Sequence, residues 1–235
     1  MDTLYIIIPS YNEEANIEKT VKEWHTVAEK IGGDSRLIMI DDGSEDSTRP
    51  KLHVLSDVFP FLRVLEKENS GHGGTILFGY QYAVEKNATY IFQTDSDGQT
   101  DAKEFWRLWQ EREKYDAQFG LRKGREDGMS RVFVSWVLKQ VLFFSFGVKI
   151  KDANVPFRLM SRKSLSVFLP KIPKDYNLSN VLVSVLYAKS KASVRFEPIT
   201  FRPRQGGKNS INLRKICKIG KKAVRDFRVL KKTII

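Results

Sequence analysis

The sequence predicts an α/β fold built on a mostly parallel central sheet with helices on both faces. Two observations predict it. Short apolar runs at 4–8, 36–40, 61–65 and 89–94 alternate with segments of helical spacing, and strands without polar alternation belong to sheets covered on both sides. Polar clusters also follow the first, second and fourth runs: PSYNEE, DDGSED and DSDGQ. Ligands of such sheets bind beyond the carboxyl ends of the strands, so one crevice can gather all three clusters.

The first run, LYIII, leads through a turn into ANIEKTVKEWHTVAEKI. There Ile17, Val21, Trp24 and Ala28 recur at three- and four-residue intervals and share one helical face, and Gly32 and Gly33 end the helix. The second strand, RLIMI, stops at DDGSEDST, which offers Ser44, Asp46, Ser47 and Thr48 as helix N-caps. FLRVL is the third strand, GHGGTILFGYQYAVEKN a glycine-rich turn opening a helix, and TYIFQT the fourth strand. A helix is expected at about 101–115, a strand at 117–121, and at 122–128 a loop that either covers the crevice or is simply solvated. The apolar stretch 132–148 lies in a helix at 130–147; Lys139 and Gln140 interrupt it, and it falls short of the roughly 20 residues of a membrane span. It reads as buried or membrane-facing. KDANVPFRLMS is assigned no element, and helices near 162–169 and 178–189 and a strand at 193–201 complete the domain. Residues 1–210 are expected to form one domain and 211–235 a basic amphipathic helical tail.

The formal charge of +12 is concentrated at one end. Residues 202–235 hold twelve Lys or Arg and one acid, Asp226, so the tail region carries +11 and the rest of the chain +1. A nucleic-acid module would account for the tail but not for acidic strand ends, and no nucleic-acid partner is expected. In the tail, Leu213, Ile216, Gly220, Ala223, Phe227 and Leu230 fall near one helical face with basic residues over the remainder. That pattern fits either a helix on an anionic membrane surface or a stripe packed on the domain. The one cysteine, Cys217, rules out an intramolecular disulfide and a CxxC metal site. Met1 and Asp2 run straight into LYIII, so no signal peptide is expected.

After the fourth strand, Asp95, Asp97, Gln99 and Asp101 occupy alternate positions. Carboxylates so close repel one another unless something positive sits among them. Hard oxygen donors suit Mg²⁺ or Mn²⁺, whose shell a diphosphate and water complete; alternatively such side chains bond backbone N–H groups of their own turn. Asp41, at the second strand end, is placed to accept hydrogen bonds from a nucleobase or ribose. The segment NSGHGG lacks the GKS or GKT ending of a P-loop and the spacing of a dinucleotide site. Its Gly71, Gly73 and Gly74 would bring a helix N-terminus close to a ligand or form a purely structural turn, and His72 reads as a polar contact rather than a metal ligand.

In order, IIIPSYNEEANI, IDDGSEDST, NSGHGGTILFGYQYA, QTDSDGQ, DANVPFRLM and PITFRPRQGGKNS resemble family 2 glycosyltransferases of the GT-A fold. Within them the chain resembles the polyprenyl-phosphate glycosyltransferases, which include dolichyl-phosphate mannose synthases. The likeness spans about residues 4–210. It implies an inverting transferase dependent on Mg²⁺ or Mn²⁺, a UDP- or GDP-linked sugar donor, and an undecaprenyl or dolichyl phosphate acceptor at the cytoplasmic face of the membrane. The alternative acceptor is a glycan hydroxyl in cell-surface polysaccharide synthesis. By resemblance Pro9, Tyr11 and Glu13 line the nucleotide pocket, Asp41 lies near the base, Gly73, Asp95 and Ser96 contact the nucleotide, and Asp97 and Gln99 hold the metal. Asp152 stands beside the acceptor and becomes the base if the acceptor is a hydroxyl. Arg122, Arg131, Arg158, Arg202 and Arg204 are candidates for gripping phosphates, since guanidinium matches phosphate bidentately. The chain departs from the family where Pro156 replaces a glycine and where Asn177 and Asn180 stand in place of a glutamate, and the C-terminal membrane helices that many members carry are not expected of it. Rival readings are a catalytically silent scaffold and a nucleotidyltransferase.

Overall fold

The computed structural model describes residues 2–123, 129–174, 176–204, 225–227 and 230, with side chains described for these apart from 123 and 129–133. A seven-stranded sheet runs in the order β3-β2-β1-β4-β6-β5-β7, formed by β1 (Leu4–Ser10), β2 (Arg36–Asp41), β3 (Leu62–Glu66), β4 (Tyr90–Thr94), β5 (Ala117–Lys123), β6 (Phe157–Ser161) and β7 (Val194–Thr200). Strands β1, β2, β3 and β4 pair in parallel, as do β5 and β7, whereas β6 runs antiparallel to both its neighbours. The helices are α1 (Ile17–Ile31), α2 (Thr48–Val58), α3 (Gly71–Glu85), α4 (Phe105–Gln110), α5 (Met129–Phe146), α6 (Arg162–Phe168) and α7 (Ser179–Lys189).

The predicted face of α1 is the one that packs: Ile17, Val21, Trp24 and Ala28 are all buried. Trp24 meets Phe92 of β4 at 5.1 Å between ring centroids, and Phe92 meets Phe105 and Phe157 edge-on at 4.9 and 4.8 Å. Each such pair adds about 0.5–1.5 kcal/mol beyond the area it buries. On the β1–β2 part of the sheet α3 approaches so closely that a Cβ on Gly79 would lie 2.4 Å from Ile7 Cγ2 and 2.7 Å from Ile40 Cδ1.

Two elements differ from expectation. The helix predicted at about 101–115 is a 3-10 turn, the short α4 and a second 3-10 turn. Its carbonyls are claimed from outside the helix, since Gln118 Nε2 donates to Leu108 O at 2.7 Å and Arg112 Nη1 to Trp109 O at 3.1 Å. The unassigned FRLMS is β6, a central strand. A charged residue, Arg158, stands fully buried in the middle of the sheet there, and it interrupts the strand's apolar run.

Candidate active site

The chain order reverses beside β1, whose neighbours are β2 and β4, which opens a crevice at their carboxyl ends. Because β6 is antiparallel, the residues before it, including Asp152, reach the same rim, and so do the ends of β5 and β7 with Arg122, Arg202 and Arg204. The strand-end loops are tied together. Asn12, in a left-handed conformation at φ 53, accepts from Glu45 N–H at 2.9 Å, while its own N–H donates to Ser44 Oγ at 3.0 Å. Pro9 and Ser96 meet at the switch point, where the buried Ser96 hydroxyl donates to Pro9 O at 2.9 Å and Ser96 O accepts from Thr20 Oγ1 at 3.0 Å. Ser96 therefore locks β1 to β4.

On the base side, Asp41 is fully buried, accepting from Arg49 Nε at 2.9 Å and from Ser44 N–H at 3.2 Å. Tyr11, the residue after β1, is 40% exposed. Asp42, given no role from sequence, anchors the glycine turn: it accepts from the N–H groups of Ser70 and Gly71 at 3.0 Å and pairs with Lys67 at 2.6 Å. Gly73, expected at the nucleotide, lies against a distant segment. A Cβ there would lie 2.4 Å from the carbonyl oxygens of Tyr176 and Asn177, so backbone from a distant segment fills the space that the missing side chain leaves.

Asp95 and Asp97 leave the end of β4 together. His72 Nε2 lies 2.9 Å from Asp95 Oδ1, and Gln93 Nε2 donates to the same oxygen at 3.3 Å. Asp97 Oδ1 accepts from Gln99 N–H at 3.1 Å, and Arg204 Nη1 is 3.7 Å from Asp97 Oδ2. Burial, followed by the charge of Asp95, pushes the Asp97 carboxyl up to about 6 against the opposing pull of Gln99 N–H and Arg204. Desolvation lowers the affinity of His72 for a proton, but Asp95, Asp97 and Asp42 outweigh it and hold the ring above its ordinary value. Glu13 is buried, with Oε2 accepting from Asn16 Nδ2 at 2.9 Å and Oε1 paired with Arg204. The site thus holds more negative charge than its own cations neutralise.

Gln99, an expected metal ligand, is held against the segment after β7: its side-chain Nε2 donates to Arg202 O and its backbone carbonyl accepts from Arg202 N–H, both at 2.8 Å, contacts that do not use the side-chain oxygen. This clasp holds the segment after β7 against the carboxylate turn. Asp101 pairs with Arg202 and caps the following turn through Lys103 N–H at 2.9 Å. The carboxylates Asp95 and Asp97 suit a divalent cation, and two carboxylates completed by phosphate oxygens and water are a usual donor set for Mg²⁺.

On the acceptor side, Asp152 receives a bidentate guanidinium from Arg122, Nε to Oδ2 at 2.7 Å and Nη2 to Oδ1 at 2.8 Å, and Arg122 also stacks on the Phe201 ring at 5.0 Å. Arg158 is corrected as a phosphate ligand. It is fully buried, donates to the carbonyls of Val155, Asn180 and Ala153 at 2.7, 2.8 and 2.7 Å, and lies over Phe119 at 4.7 Å. Burial lowers its pKa to about 10, so it remains a cation whose charge is spent on tying the loop before β6 to α7. The side chain of Arg131, the 124–128 stretch of the expected crevice loop, residues 205–210 and, in the tail, residues 211–224, 228–229 and 231–235 lie outside the described residues.

A family model, Glycosyl transferase family 2, matches residues 5–169. Among curated proteins, an undecaprenyl-phosphate 4-deoxy-4-formamido-L-arabinose transferase of Pseudomonas fluorescens is 24% identical over 196 residues, 78% of this chain and 57% of that protein. The transferase of the same name from Pectobacterium atrosepticum is 25% identical over 203 residues, 78% of this chain and 59% of that protein. The chain thus spans somewhat more than half the length of these relatives. Among solved structures, glucosyl-3-phosphoglycerate synthase from Mycobacterium tuberculosis, in complex with Mn²⁺, UDP and phosphoglyceric acid, superposes with a TM-score of 0.70 at 15% identity, covering 98% of this chain and 78% of that one. This likeness is one of fold.

Proposed function

The chain belongs to glycosyl transferase family 2, and from that premise we propose that it transfers a sugar from a nucleotide-sugar donor to a polyprenyl phosphate, with inversion at the anomeric carbon. The observation that carries the reading is the carboxylate pair at the end of β4, with Asp97 raised to about 6 by burial and Asp95. Such a pair is costly for the free protein and suits a cation held on a diphosphate. Asp95 and Asp97 would hold Mg²⁺ or Mn²⁺, and a bound metal supplies neutralisation of the leaving diphosphate.

The chain's own residues divide the remaining work. Asp41, oriented by Arg49 and Ser44, would accept hydrogen bonds from the base or ribose of a UDP- or GDP-linked donor, and Tyr11 would line the nucleotide pocket. Arg204, held by Glu13 and near Asp97, and His72, whose proton affinity the surrounding carboxylates raise, would meet the diphosphate oxygens. Preorganised cations aimed at developing negative charge lower the barrier most where water is excluded.

The lipid-phosphate acceptor is favoured over a hydroxyl by two considerations. The relatives named above act on undecaprenyl phosphate. In addition, both oxygens of Asp152 are engaged by Arg122, which weakens this carboxylate as a proton acceptor. A phosphate acceptor is already anionic at neutral pH and requires no strong base. In this reading Arg122, with Asp152 fixing its plane, and Arg202 orient the acceptor. The test is the full chain with Mg²⁺ or Mn²⁺, a panel of UDP- and GDP-sugars and a short polyprenyl phosphate, read by nucleoside diphosphate release and lipid mass. A glycosylated lipid phosphate supports the proposal. Turnover only with a glycan hydroxyl would overturn it and return Asp152 to the role of base.

A further inference from the structure

Helix α5 is apolar on two sides. Leu142 and Phe146 face the core, where Phe146 packs on Phe227 at 5.2 Å between ring centroids. On the other side Trp136, Val137, Phe143 and Phe144 are 56, 37, 42 and 78% exposed. The two pairs are seven residues apart, so they form a single stripe. Four of the nine large apolar side chains exposed among the described residues lie on this one helix. A contiguous aromatic stripe of this kind marks a surface with a partner.

The chemistry around the stripe selects the partner. From Met129 to Lys151 the chain has Arg131, Lys139, Lys149 and Lys151 and no acid. Lys139 and Lys149 are exposed, and Lys149 Nζ lies 5.7 Å from the centroid of the Phe143 ring. Phe227, from the end of the chain that carries +11, is seated on Phe146 of the same helix, so the basic tail touches α5 there. Among the described residues no helix is long and apolar enough to cross a bilayer. An apolar stripe bordered by lysines and adjoining a polybasic segment is complementary to an anionic lipid interface, with the rings at acyl depth and the ammonium groups at the headgroups.

We infer that the outer face of α5, centred on Trp136, Phe143 and Phe144, lies in the plane of an anionic bilayer and seats the protein on the membrane. The inference rests on the lipid-acceptor reading above only for why a membrane is the relevant surface. Its test needs neither donor nor acceptor. Full-length protein is sedimented with phosphatidylglycerol–phosphatidylcholine vesicles containing no polyprenyl phosphate, and the lipid partition coefficient is compared among variants.

Phe143→Ser with Phe144→Ser is expected to weaken partition about tenfold or more, since fully burying one Phe side chain is worth roughly 1.5–3 kcal/mol. Val58→Ser, at a side chain 66% exposed on α2, is expected to leave it unchanged. Partition that survives the double substitution overturns the inference, because the tail alone would then account for binding. As a second measurement that leaves the stripe aromatic, anionic lipids brominated in their acyl chains should quench wild-type fluorescence. The quenching should disappear in Trp136→Phe, and quenching that persists would place another tryptophan at the lipid and also overturn it. A protein that ignores vesicles and self-associates through Phe143 and Phe144 would assign the face to a second copy. Loss of lipid product in the transfer assay with vesicle binding intact would refute the acceptor reading and leave this inference standing.

Discussion

Replacing Asp97 by asparagine is expected to make the metal-free protein more stable at neutral pH while removing its response to divalent metal. The carboxyl titrates at about 6 in the folded chain, against the ordinary aspartate value of 3.8 that holds once the chain unfolds. The folded state therefore binds the proton more tightly. Stability from this group is fully present below the unfolded value and is lost as the pH rises through the folded one. The loss amounts to about 3 kcal/mol above the window, at 1.36 kcal/mol per pH unit. The substituted amide would retain an oxygen for the Gln99 N–H now bonded at 3.1 Å and would lose only the 3.7 Å approach of Arg204. Asp97→Asn should thus gain about 1–3 kcal/mol over wild type at about pH 7.5 and almost nothing at about pH 3.5. Urea unfolding in EDTA at the two pH values measures this. Added Mn²⁺ at about 100 times its dissociation constant should stabilise wild type by about 2.7 kcal/mol and leave the variant unmoved. A variant less stable than wild type at neutral pH, or one still stabilised by Mn²⁺, would refute the reasoning.

Three further outcomes follow from the same geometry. Arg158→Met withdraws three donors from buried carbonyls and should cost about 3–5 kcal/mol of unfolding free energy, with nucleotide binding retained by the folded fraction; a fully stable variant without turnover would restore Arg158 to the phosphate site. Asp152→Asn should lower kcat/KM about tenfold by loosening Arg122 and keep the acid limb of the pH profile, whereas a loss of about 10²–10⁴ together with that limb would mark Asp152 as the base. Gly73→Ala should destabilise by about 3 kcal/mol, because the atoms in its way are backbone, and Gly79→Ala by about 1–3 kcal/mol, because Ile7 and Ile40 can partly repack; calorimetry of both orders the two.

Much of the fold was legible because burial leaves a local trace. The four apolar runs became β1 to β4, the face of α1 was read residue by residue, and the polar clusters came together at one rim, since every parallel strand ends there. The crowding at Asp95 and Asp97 was legible too, because short spacing alone guarantees repulsion. Strand β6 left no such trace. Its Arg158 reads in sequence as a surface residue, yet it is fully buried, and it is tolerated there because three carbonyls and the Phe119 ring receive it.

The sequence by itself determined the α/β alternation, the acidic strand ends and the concentration of positive charge toward the chain end. Tertiary structure alone decided which polar side chains remain available to a ligand. Ser96 and Gln99 stand in the midst of the recognised motif, and there the Ser96 hydroxyl meets Pro9 O while the Gln99 Nε2 meets Arg202 O, 103 residues away. Gly73 is required by the backbone of Tyr176 and Asn177, and Glu13 finds its cation 191 residues along the chain. Periodicity records whether a side chain is buried. It carries no record of the partner that a buried polar group must find, because that partner is set by the packing of distant segments.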